Sequence, residues 1–540
     1  MNRLLLSFLG LCLLVSANAQ WVNNPSENTR ATTDNNIGYQ AKTNSDGYTF
    51  LYLDKLESPG CTSYCQIIRP DGLLVFPYSG KVLTDAPNST YTVINENLWI
   101  DNDGNAITAS SQCRDISTLH SYYYVINKIS PEGNLLWDEP LLLNKGNDYN
   151  LLTSLRMVTL EDGSYVFAHA IYNADGKAYV SIERVSSDGK FLWSSAKLLY
   201  DSEKNYTIPI LVNAGNNQFL VFYAKGAGYE YYVNKFDFDG ESVWSGEKAV
   251  YRGGFTVPAH LCIGAIPDKA GGAFFAWYDD RNASKVEKVY VSHIESNGNQ
   301  GFVTSGGEEG LRVSLSGMRA FRPKMAYDEA SKNLYMVWEE YNGTQSFQRL
   351  MIQKINQYGE LLWEDTNPAF SAGNTNGYEV GEYLSGYNIE AVNGKILLYY
   401  FGGGQVLKAH LLDVTSNPAA PVEVWGARAP LEIANSSSSK GSAIISPLIG
   451  GDYFVATWGD LRSSSSAYDA GIFAQRFFLN GTIDGVITSL NKVKPASEVV
   501  GVEYFAVTGE KLASKPASGL YLEKSILKNG GFEVKKVLAK

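Results

Sequence analysis

The chain has 540 residues and a formal net charge of −11, with 44% hydrophobic, 13% aromatic and 19% charged residues. This length permits several domains, or one large repetitive domain with a small appendage. The hydrophobic content excludes wholesale disorder, and the acidic balance argues against a nucleic-acid partner, because phosphate binding needs a basic face. The 35 Tyr, 23 Phe and 51 Gly, beside only 6 Met, favour strands and turns over helices.

Residues 1–19 have the pattern of a secretory signal peptide. Arg3 supplies the charged start, an apolar run extends from Leu4 to Val15, and Ala17-Asn18-Ala19 forms a cleavage site before Gln20. No later apolar run approaches the roughly 18–20 residues of a membrane-spanning helix. We therefore expect cleavage between Ala19 and Gln20, no transmembrane span, and a secreted or outer-membrane surface protein.

Removal of the signal peptide leaves four cysteines, Cys61, Cys65, Cys113 and Cys262. An even number in an exported chain allows disulfides. Cys61 could pair with Cys65 beside a hairpin, or Cys65 with Cys113 in a neighbouring unit, and the sequence leaves the pairing open. The five histidines are scattered singly, so we expect neither a metal site nor a cofactor.

The strongest signal is a repeat of about 58 residues. Each unit holds a glycine- or asparagine-containing turn, a strand, a second strand and a second turn, with the period-2 alternation typical of hairpins. The first turns lie at Gly47, Gly104, Gly163, Asn217, Gly272, Asn333, Gly394 and Gly451.

These units predict an all-β fold, because a unit of three or four strands cannot bury both faces alone and must pack against its neighbours. Radial packing into a β-propeller also protects sheet edges. Solenoid rungs are usually much shorter, and tandem sandwiches need about 100 residues each. We predict a propeller domain over residues 20–490, with eight blades or else seven. The repeats that form its ring span residues 36–485, and residues 20–35 could add a strand that joins the first and last blades.

A second motif places an aromatic residue four positions after the glycine of the second turn, as in Gly189 and Trp193. We expect this aromatic side chain to pack between sheets.

A third motif, W-x-D-x-R, occurs at Trp277-Tyr278-Asp279-Asp280-Arg281 and at Trp458-Gly459-Asp460-Leu461-Arg462, and Ala474-Gln475-Arg476 follows the second copy. The pattern resembles repeats of exported Bacteroidetes proteins over residues 36–485, and this resemblance implies an exported propeller without assigned catalytic residues. Carboxylates next to arginines favour ion pairs at blade ends, but they could also face a ligand. The candidate ligand-binding residues are Trp277, Asp279, Arg281, Trp338, Trp458, Asp460 and Arg462.

The composition changes near residue 490. Residues 491–540 contain nine Lys and five Glu, with no Arg or Asp, for a net charge of +4. This shift predicts a separate module of three short strands, similar to a small β-sandwich. The segment resembles the C-terminal sorting domain of the type IX (Por) secretion system, although it lacks the usual upstream Pro-Asn-Pro. The resemblance implies the secretion machinery as a partner, and it rests chiefly on Gly509, Gly519, Tyr521, Lys535 and Lys536.

No catalytic signature is present: the chain has no G-x-S-x-G, no H-E-x-x-H and no phosphate loop. Two hypotheses remain. The first is a non-catalytic recognition propeller that binds a glycan or protein ligand; the second is a glycoside hydrolase or lyase on a propeller scaffold. Fold alone cannot decide between them. Two carboxylates that converge in one funnel would favour the enzyme.

Overall fold

The computed structural model describes residues 21–34, 36–57, 60–84, 97–115, 120–144, 151–173, 175–226, 230–252, 263–281, 285–302, 304, 309–364, 377–380, 385–462, 470–483, 499–508, 510–527 and 532–539. The chain divides into two compact units, Met1–Asp484 and Gly485–Lys540. The described residues form strands and two 3₁₀ turns, Gly403–Gln405 and Gly426–Arg428, and no α-helix occurs among them. No helix in these ranges could span a membrane.

The first unit is built from eight antiparallel sheets, numbered here in chain order. Sheet 8 also takes in the first strand of the chain, β1 (Thr29–Arg30). Sheets 1 and 2 consist of β2 (Asn36–Thr43), β3 (Thr49–Glu57), β4 (Gly60–Ile68) and β5 (Lys81–Val82), then β6 (Leu98–Ile100), β7 (Ala106–Asp115), β8 (His120–Ile129) and β9 (Leu141–Leu143). Sheets 3 and 4 consist of β10 (Leu151–Thr159), β11 (Tyr165–Tyr172), β12 (Ala178–Val185) and β13 (Lys197–Leu199), then β14 (Tyr206–Gly215), β15 (Gln218–Lys225), β16 (Glu230–Phe236) and β17 (Lys248–Tyr251).

The remaining sheets of this unit follow the same order. Sheets 5 and 6 consist of β18 (Gly264–Pro267), β19 (Ala273–Asp279), β20 (Lys288–Ile294) and β21 (Leu311–Arg312), then β22 (Arg319–Asp328), β23 (Asn333–Tyr341), β24 (Gln348–Ile355) and β25 (Tyr378–Val380). Sheets 7 and 8 consist of β26 (Ser385–Val392), β27 (Lys395–Gly402), β28 (Val406–Asp413), β29 (Val422–Glu423) and β30 (Leu431–Ala434), then β31 (Lys440–Ile445), β32 (Tyr453–Asp460) and β33 (Gly471–Phe478).

The first turns of the repeat join the first two strands of each sheet. The backbone is left-handed there, for example at Gly104 with φ +80° and at Asn217 with φ +53°. A residue at such a position avoids steric strain when it is Gly or Asn, which is why the sequence punctuates the repeat with these residues. The side chain of Asp101 shapes the first turn of sheet 2, because its Oδ1 accepts hydrogen bonds from the backbone N–H groups of Asp103 and Asn105.

Each sheet packs against the next through a hydrophobic cluster. Eight such clusters occur, and each draws its buried side chains from two consecutive sheets. The last cluster joins sheet 8 to sheet 1 through side chains that include Val455, Ile472, Leu51 and Leu53. The eight sheets therefore form a closed ring, and the predicted all-β propeller fold is confirmed.

The ring closes through the N-terminal segment. β1 pairs antiparallel with β33, where Thr29 lies opposite Ala474 and Arg30 opposite Phe473. Arg462 also donates through Nη2 to Asn28 Oδ1 at 3.2 Å. A strand from before the first repeat thus completes the last sheet, as the sequence allowed, and joins the two ends of the ring.

The aromatic residue after the second turn packs between neighbouring sheets, as expected. Trp137 of sheet 2 lies against Gly189 of sheet 3 and donates its Nε1 hydrogen to the Ser187 carbonyl at 3.0 Å. Trp21, which precedes β1, fills this position for sheet 8 and lies against Gly72 of sheet 1. The same indole donation, at 2.9–3.2 Å, joins Trp193 to Phe238, Trp244 to Ser296, Trp425 to Leu479 and Trp21 to Pro70.

The first strand of most sheets carries a β-bulge. Its pairing with the second strand shifts register in six sheets, and the bulge is left-handed at Ile208, Arg322, Gly386 and Ser442, with φ between +52° and +56°. The backbone carbonyls at two of these bulges accept hydrogen bonds from tyrosine hydroxyls of the next sheet. Tyr387 donates to the Arg322 carbonyl at 2.5 Å, and Tyr39 donates to the Ser442 carbonyl. Because a bulge bends a strand and redirects its side chains, these bulges shape the inner wall of the ring.

The second unit is a single antiparallel sheet in its described residues. Its strands are β34 (Val499–Ala506), β35 (Lys511–Leu512), β36 (Gly519–Leu527) and β37 (Phe532–Ala539), in the order β35-β34-β36-β37. The sequence predicted three strands and a sandwich; the described residues give four strands in one layer, because the first predicted strand turns back as β35.

The cysteine pairings considered from the sequence do not form. Cys61 and Cys65 both lie in β4, four residues apart, and not on the two sides of a hairpin. Residues four apart in a strand are separated by roughly 13 Å, whereas a disulfide needs Cα atoms within about 7 Å. Cys65 is a buried free thiol, which excludes pairing with Cys113 as well. Cys262 lies outside the described residues.

Candidate functional site

The first strands of the sheets converge on a cavity of about 420 Å³ at the centre of the ring. Five sheets contribute to its wall through β2, β6, β10, β26 and β31, together with residues from the second strands of sheets 1, 7 and 8. First strands of consecutive sheets contact one another from β10 through to β31, and β2 contacts β6, which places the first strands at the inner edge of the ring. A cavity of this size suits a small molecule or a short stretch of polymer.

The cavity wall combines hydroxyl, amide and charged groups. Thr43 and Thr49 share a hydrogen bond of 2.9 Å between their Oγ1 atoms, and Asn388 donates through Nδ2 to the Tyr399 hydroxyl at 3.2 Å. Lys42 and Glu390 are its charged members. The wall therefore offers several hydrogen-bond donors and acceptors to a polar ligand.

Burial raises the pKa values of two acidic groups in this cavity. Burial raises the pKa of Glu390, and the positive charge of Lys42 opposes that shift. Burial also raises the pKa of Tyr399 well above its usual range, and the Glu390 carboxylate adds to the shift. A phenol held protonated in this way is a hydrogen-bonding group and a poor general base.

Apolar surface completes the wall. Trp99 of β6 and Met157 of β10 line it, and Trp99 packs edge-on against Phe167 with ring centroids 6.4 Å apart. The indole is held by the core of sheets 2 and 3 and presents only a small part of its surface, 7%, to solvent. It provides a rigid apolar boundary beside the polar groups.

The residues predicted from W-x-D-x-R lie elsewhere, at the ends of second strands. Asp279 is fully buried: its Oδ2 accepts the Trp277 Nε1 hydrogen at 2.8 Å and the Arg281 Nη2 hydrogen at 2.6 Å. Arg281 lies over the rings of Tyr251 and Tyr290, 4.6 and 4.5 Å from their centroids. The Asp279–Arg281 ion pair and the Trp277 indole thus form one internal cluster, which lies in sheet 5 and at its interface with sheet 4.

Sheet 8 repeats this arrangement. Asp460 Oδ2 accepts hydrogen bonds from Trp458 Nε1 at 3.1 Å and from Arg462 Nη2 at 2.6 Å. Burial would raise the pKa of Asp460, but the hydrogen bonds of Arg462, Ser438 and Trp458 outweigh burial and lower it. Since Arg462 also bonds the N-terminal segment, this copy supports ring closure.

Sheet 6 holds a variant in which the acid is Glu340 and the arginine comes from the next strand. Trp338 donates to Glu340 Oε1 at 3.0 Å, and Arg349 donates to Oε2 through Nε and Nη2 at 2.9 and 2.7 Å. Both side chains of this ion pair are essentially unexposed, at 1% and 0%. The sequence did not single out Glu340 with Arg349, because the two lie on different strands.

The seven candidate residues are therefore buried or largely buried, and their carboxylates are already paired. Their placement favours the alternative that the sequence also allowed, ion pairs at sheet ends, over contact with a ligand. They belong to three separate sheets, and none of them lines the central cavity. Among the described residues, no three His, Cys, Asp or Glu side chains lie close enough to hold a metal ion.

Sequence reasoning missed the cavity residues because it concentrated on the strands after each first turn. Lys42 and Glu390 lie just before such turns, in the segments Gln40–Thr43 and Ile389–Val392. The available signal was a charged residue inside an alternating strand that directly precedes a turn.

The tail residues predicted for sorting lie in the second unit. Tyr521 is buried and packs edge-on against Tyr504, with ring centroids 5.8 Å apart. Gly519 begins β36 with φ +91°, and the side chains of Lys535 and Lys536 are exposed on β37. Gly509 lies outside the described residues.

The ring of radial sheets makes the first unit a β-propeller with a polar central cavity. No protein-family model and no curated protein matches the sequence. Similar solved structures include the polysaccharide lyase Uly1, at 9% identity and a TM-score of 0.45 over 73% of this chain and 92% of that one. A PL25 ulvan lyase is 11% identical, with a TM-score of 0.42 over 86% of this chain and 97% of that one. The Dos1 propeller is 12% identical, with a TM-score of 0.40 over 83% of this chain and 95% of that one. At these values the likeness carries no argument about ligand or activity.

Proposed function

We propose that the first unit is a non-catalytic recognition propeller that binds a glycan in its central cavity. The observation that carries the proposal is the composition of the cavity wall: threonine hydroxyls, the Asn388 amide, the Tyr399 hydroxyl and an indole surround a space of about 420 Å³. Sugars are recognised by such combinations of hydrogen-bonding groups and apolar faces. A recessed space of this volume suits a few sugar rings better than the surface of a folded protein.

The wall argues against catalysis by paired carboxylates. Glycoside hydrolysis uses two carboxyl groups about 5–9.5 Å apart. Glu390 is the sole carboxylate among the residues that line the described cavity, and the acids of the W-x-D-x-R motifs are paired elsewhere. The raised pKa of Tyr399 also makes it a poor base for an elimination reaction.

A binding experiment on the mature chain tests this proposal. Soluble polysaccharides are titrated calorimetrically against the wild type, Asn388→Ala and Glu390→Gln, while reducing ends and unsaturated products are monitored. We expect saturable binding, at least tenfold weaker in both variants, without product formation. Glu241→Gln, at a 71%-exposed side chain on an outer turn, should bind like the wild type.

Two outcomes would contradict the proposal. Failure of every polysaccharide to bind would refute glycan recognition by the cavity. Product formation that disappears in Glu390→Gln would instead support the alternative, a carbohydrate-active enzyme.

We further propose that the protein is exported to the cell surface and that its second unit directs this export. The signal-peptide pattern before Gln20 and the basic tail support the proposal. N-terminal sequencing of the native protein should begin at Gln20, and deletion of residues 491–540 in the native host should leave a folded propeller in the periplasm. Normal surface levels of the truncated chain would refute the sorting function.

A further inference from the structure

The charge of the inner strands is opposite to that of the chain. The chain carries −11, yet the first strands of the eight sheets hold six basic residues and two acidic ones. The basic residues are Lys42, Arg156, Arg319, Arg322, Lys324 and Lys440, and the acidic residues are Asp328 and Glu390.

Two of these cations form ion pairs with carboxylates. Arg319 pairs with Glu287 and Arg322 with Glu339. The other four make no ion pair with any described carboxylate: Arg156 donates to the Leu155 carbonyl at 2.9 Å, and Lys440 to the Ser438 carbonyl at 3.0 Å. Lys42 and Lys324 are exposed. Lys42 lines the cavity, whereas Lys324 lies on β22 of sheet 6, which contributes no residue to the cavity wall. Because both faces of every sheet in the ring are covered, an exposed side chain on an inner strand extends into the space that the inner strands enclose. We call this space the channel, and the cavity is one part of it.

The acidic groups lie mainly on the turns. Exposed carboxylates occur at the first turns of several sheets, at Asp46, Asp103, Glu161, Glu329 and Asp452, and they outnumber the exposed lysines of these turns, Lys269 and Lys332. Asp162 is also exposed there but pairs with Arg184. On the inner strands the four basic residues without an ion pair to a described carboxylate outnumber the two acidic residues, Asp328 and Glu390. Burial raises the pKa of Glu390, and Lys42 opposes that shift. A positive channel therefore lies behind a negative rim at the first-turn end, and low-dielectric walls focus the field of the channel cations.

We propose that the ligand of the central channel is an anionic glycan whose carboxylate or sulfate groups contact Lys42 and Lys324. This inference rests on the proposed glycan-binding function and specifies its ligand class. The polymer enters from the end opposite the first turns, since the rim of carboxylates repels it at the other end. Lysine suits this role because its ammonium group is a mobile point charge that can follow a flexible polymer.

The test compares charged polymers with their neutral forms. The mature full-length chain is titrated with polygalacturonate and with the same polymer reduced at its carboxyl groups, then with a sulfated galactan and its desulfated form. We expect at least one charged polymer to bind tenfold or more tightly than its neutral form, with affinity that falls as salt rises. The two pairs of polymers distinguish carboxylate from sulfate recognition.

Variants locate the contact. Lys42→Met and Lys324→Met should each weaken binding of the charged polymer about tenfold, and Lys42→Arg should retain most of the affinity because it keeps the charge. Lys190→Met, at a lysine with a 78%-exposed side chain on an outer turn, serves as the matched control and should bind like the wild type. Thermal unfolding of each variant confirms that it is folded.

Each result bears on the inference. Equal binding of charged and neutral polymers would overturn the anionic ligand class and leave glycan binding intact. A charged preference that survives in both Met variants would overturn the assignment to the channel. Failure of all four polymers to bind would overturn the anionic inference, and it would overturn the proposed function as well only if neutral polysaccharides of other kinds also failed.

Discussion

In the first unit every sheet packs against two neighbours, whereas the sheet of the second unit has no second layer among its described residues. Each interface of the ring buries a cluster of aromatic and aliphatic side chains. In the described part of the second unit, Tyr521 is the only buried hydrophobic side chain, while Val502, Leu520 and Val534 are 36–45% exposed.

The two units differ in this way because they bury their apolar surface differently. A four-stranded sheet of about 40 residues covers too little apolar surface to be stable by itself. Radial repetition solves the problem, because every new sheet covers two faces at once. We therefore expect the first unit to unfold as a resistant, cooperative body and the second unit to be marginal, and four experiments probe that difference.

Opening the ring should have the largest effect. Trp21 is 3% exposed, lies against Gly72 and belongs to the cluster that joins sheet 8 to sheet 1. Trp21→Ala should lower the free energy of unfolding of the first unit by about 3–5 kcal/mol, the range for a buried tryptophan. Urea denaturation followed by circular dichroism measures the loss. Tyr200→Ala, at a 70%-exposed side chain, should cost about 0.5 kcal/mol or less, and a similarly small loss for Trp21→Ala would refute the closure function.

A pair of side chains within sheet 3, His169 on β11 and Glu183 on β12, should make the ring sensitive to pH. Burial raises the pKa of Glu183 from 4.5 to about 7 and lowers that of His169 to about 3; Glu183 Oε2 and His169 Nδ1 lie 3.7 Å apart. Because the folded state binds the Glu183 proton more tightly, this stabilisation is complete below pH 4.5 and is lost as the pH rises through 7. His169 acts in the opposite sense, losing stability as the pH falls below 6.5 towards 3.

Glu183→Gln removes the first contribution and leaves the second. The difference in unfolding free energy between this variant and the wild type should rise by about 3 kcal/mol in favour of the variant from pH 4.5 to pH 8. Chemical denaturation at a series of pH values measures it. Glu241→Gln should run parallel to the wild type, and parallel curves for Glu183→Gln would contradict the assignment.

Substitution of two glycines of sheet 3 distinguishes the cost of backbone strain from the cost of disturbed packing. Gly163 and Gly189 have φ of +79° and +84°, but a Cβ on Gly163 would meet nothing within 4 Å, whereas one on Gly189 would lie 2.8 Å from the Trp137 ring. Gly163→Ala should cost about 1 kcal/mol, from strain alone. Gly189→Ala should cost about 1–3 kcal/mol more, because the indole must move. Equal losses in thermal unfolding would mean that the aromatic contact contributes little.

Much of this architecture was predictable because short-range sequence patterns determine it. Asp-Gly and Asn-Gly turns fix hairpins locally, so the eight repeats and the role of residues such as Trp193 could be inferred from spacing. The closing strand was foreseen as an option, whereas Trp21 as the missing aromatic of sheet 8 was not, since its partner Gly72 is 51 positions away and only ring closure brings them together.

The site was less predictable for a physical reason. Tryptophan, aspartate and arginine in W-x-D-x-R are chemically conspicuous, and the same chemistry lets them satisfy one another internally. Cavity residues such as Lys42 and Glu390 are inconspicuous in sequence, because their proximity depends on which strand edge faces the axis. The two cysteine pairings considered for Cys65 failed similarly: Cys61 lies four residues away in the same strand, and Cys65 is a buried free thiol.

The smallest effect on stability is expected in the second unit. Lys535 has a 58%-exposed side chain and pairs with Glu523, and Lys536 is exposed on the same strand. The double variant Lys535→Met, Lys536→Met should lower the stability of this unit by about 1 kcal/mol or less, as is usual for surface ion pairs, and should not change unfolding of the ring. Hydrogen exchange of the β36–β37 amides measures the local effect, with Lys511→Met as a control at another exposed lysine of this sheet.

The same variant separates folding from recognition. If exchange of the sheet amides is unchanged, a loss of surface display in the native host would support the proposed contact of these lysines with the secretion machinery, and Lys511→Met should be displayed normally. Faster exchange across β36 and β37 would instead mean that these lysines hold the sheet together. In that event the marginal second unit would depend on charge pairs where the ring depends on buried area, and the proposed sorting function would have to rest on other residues.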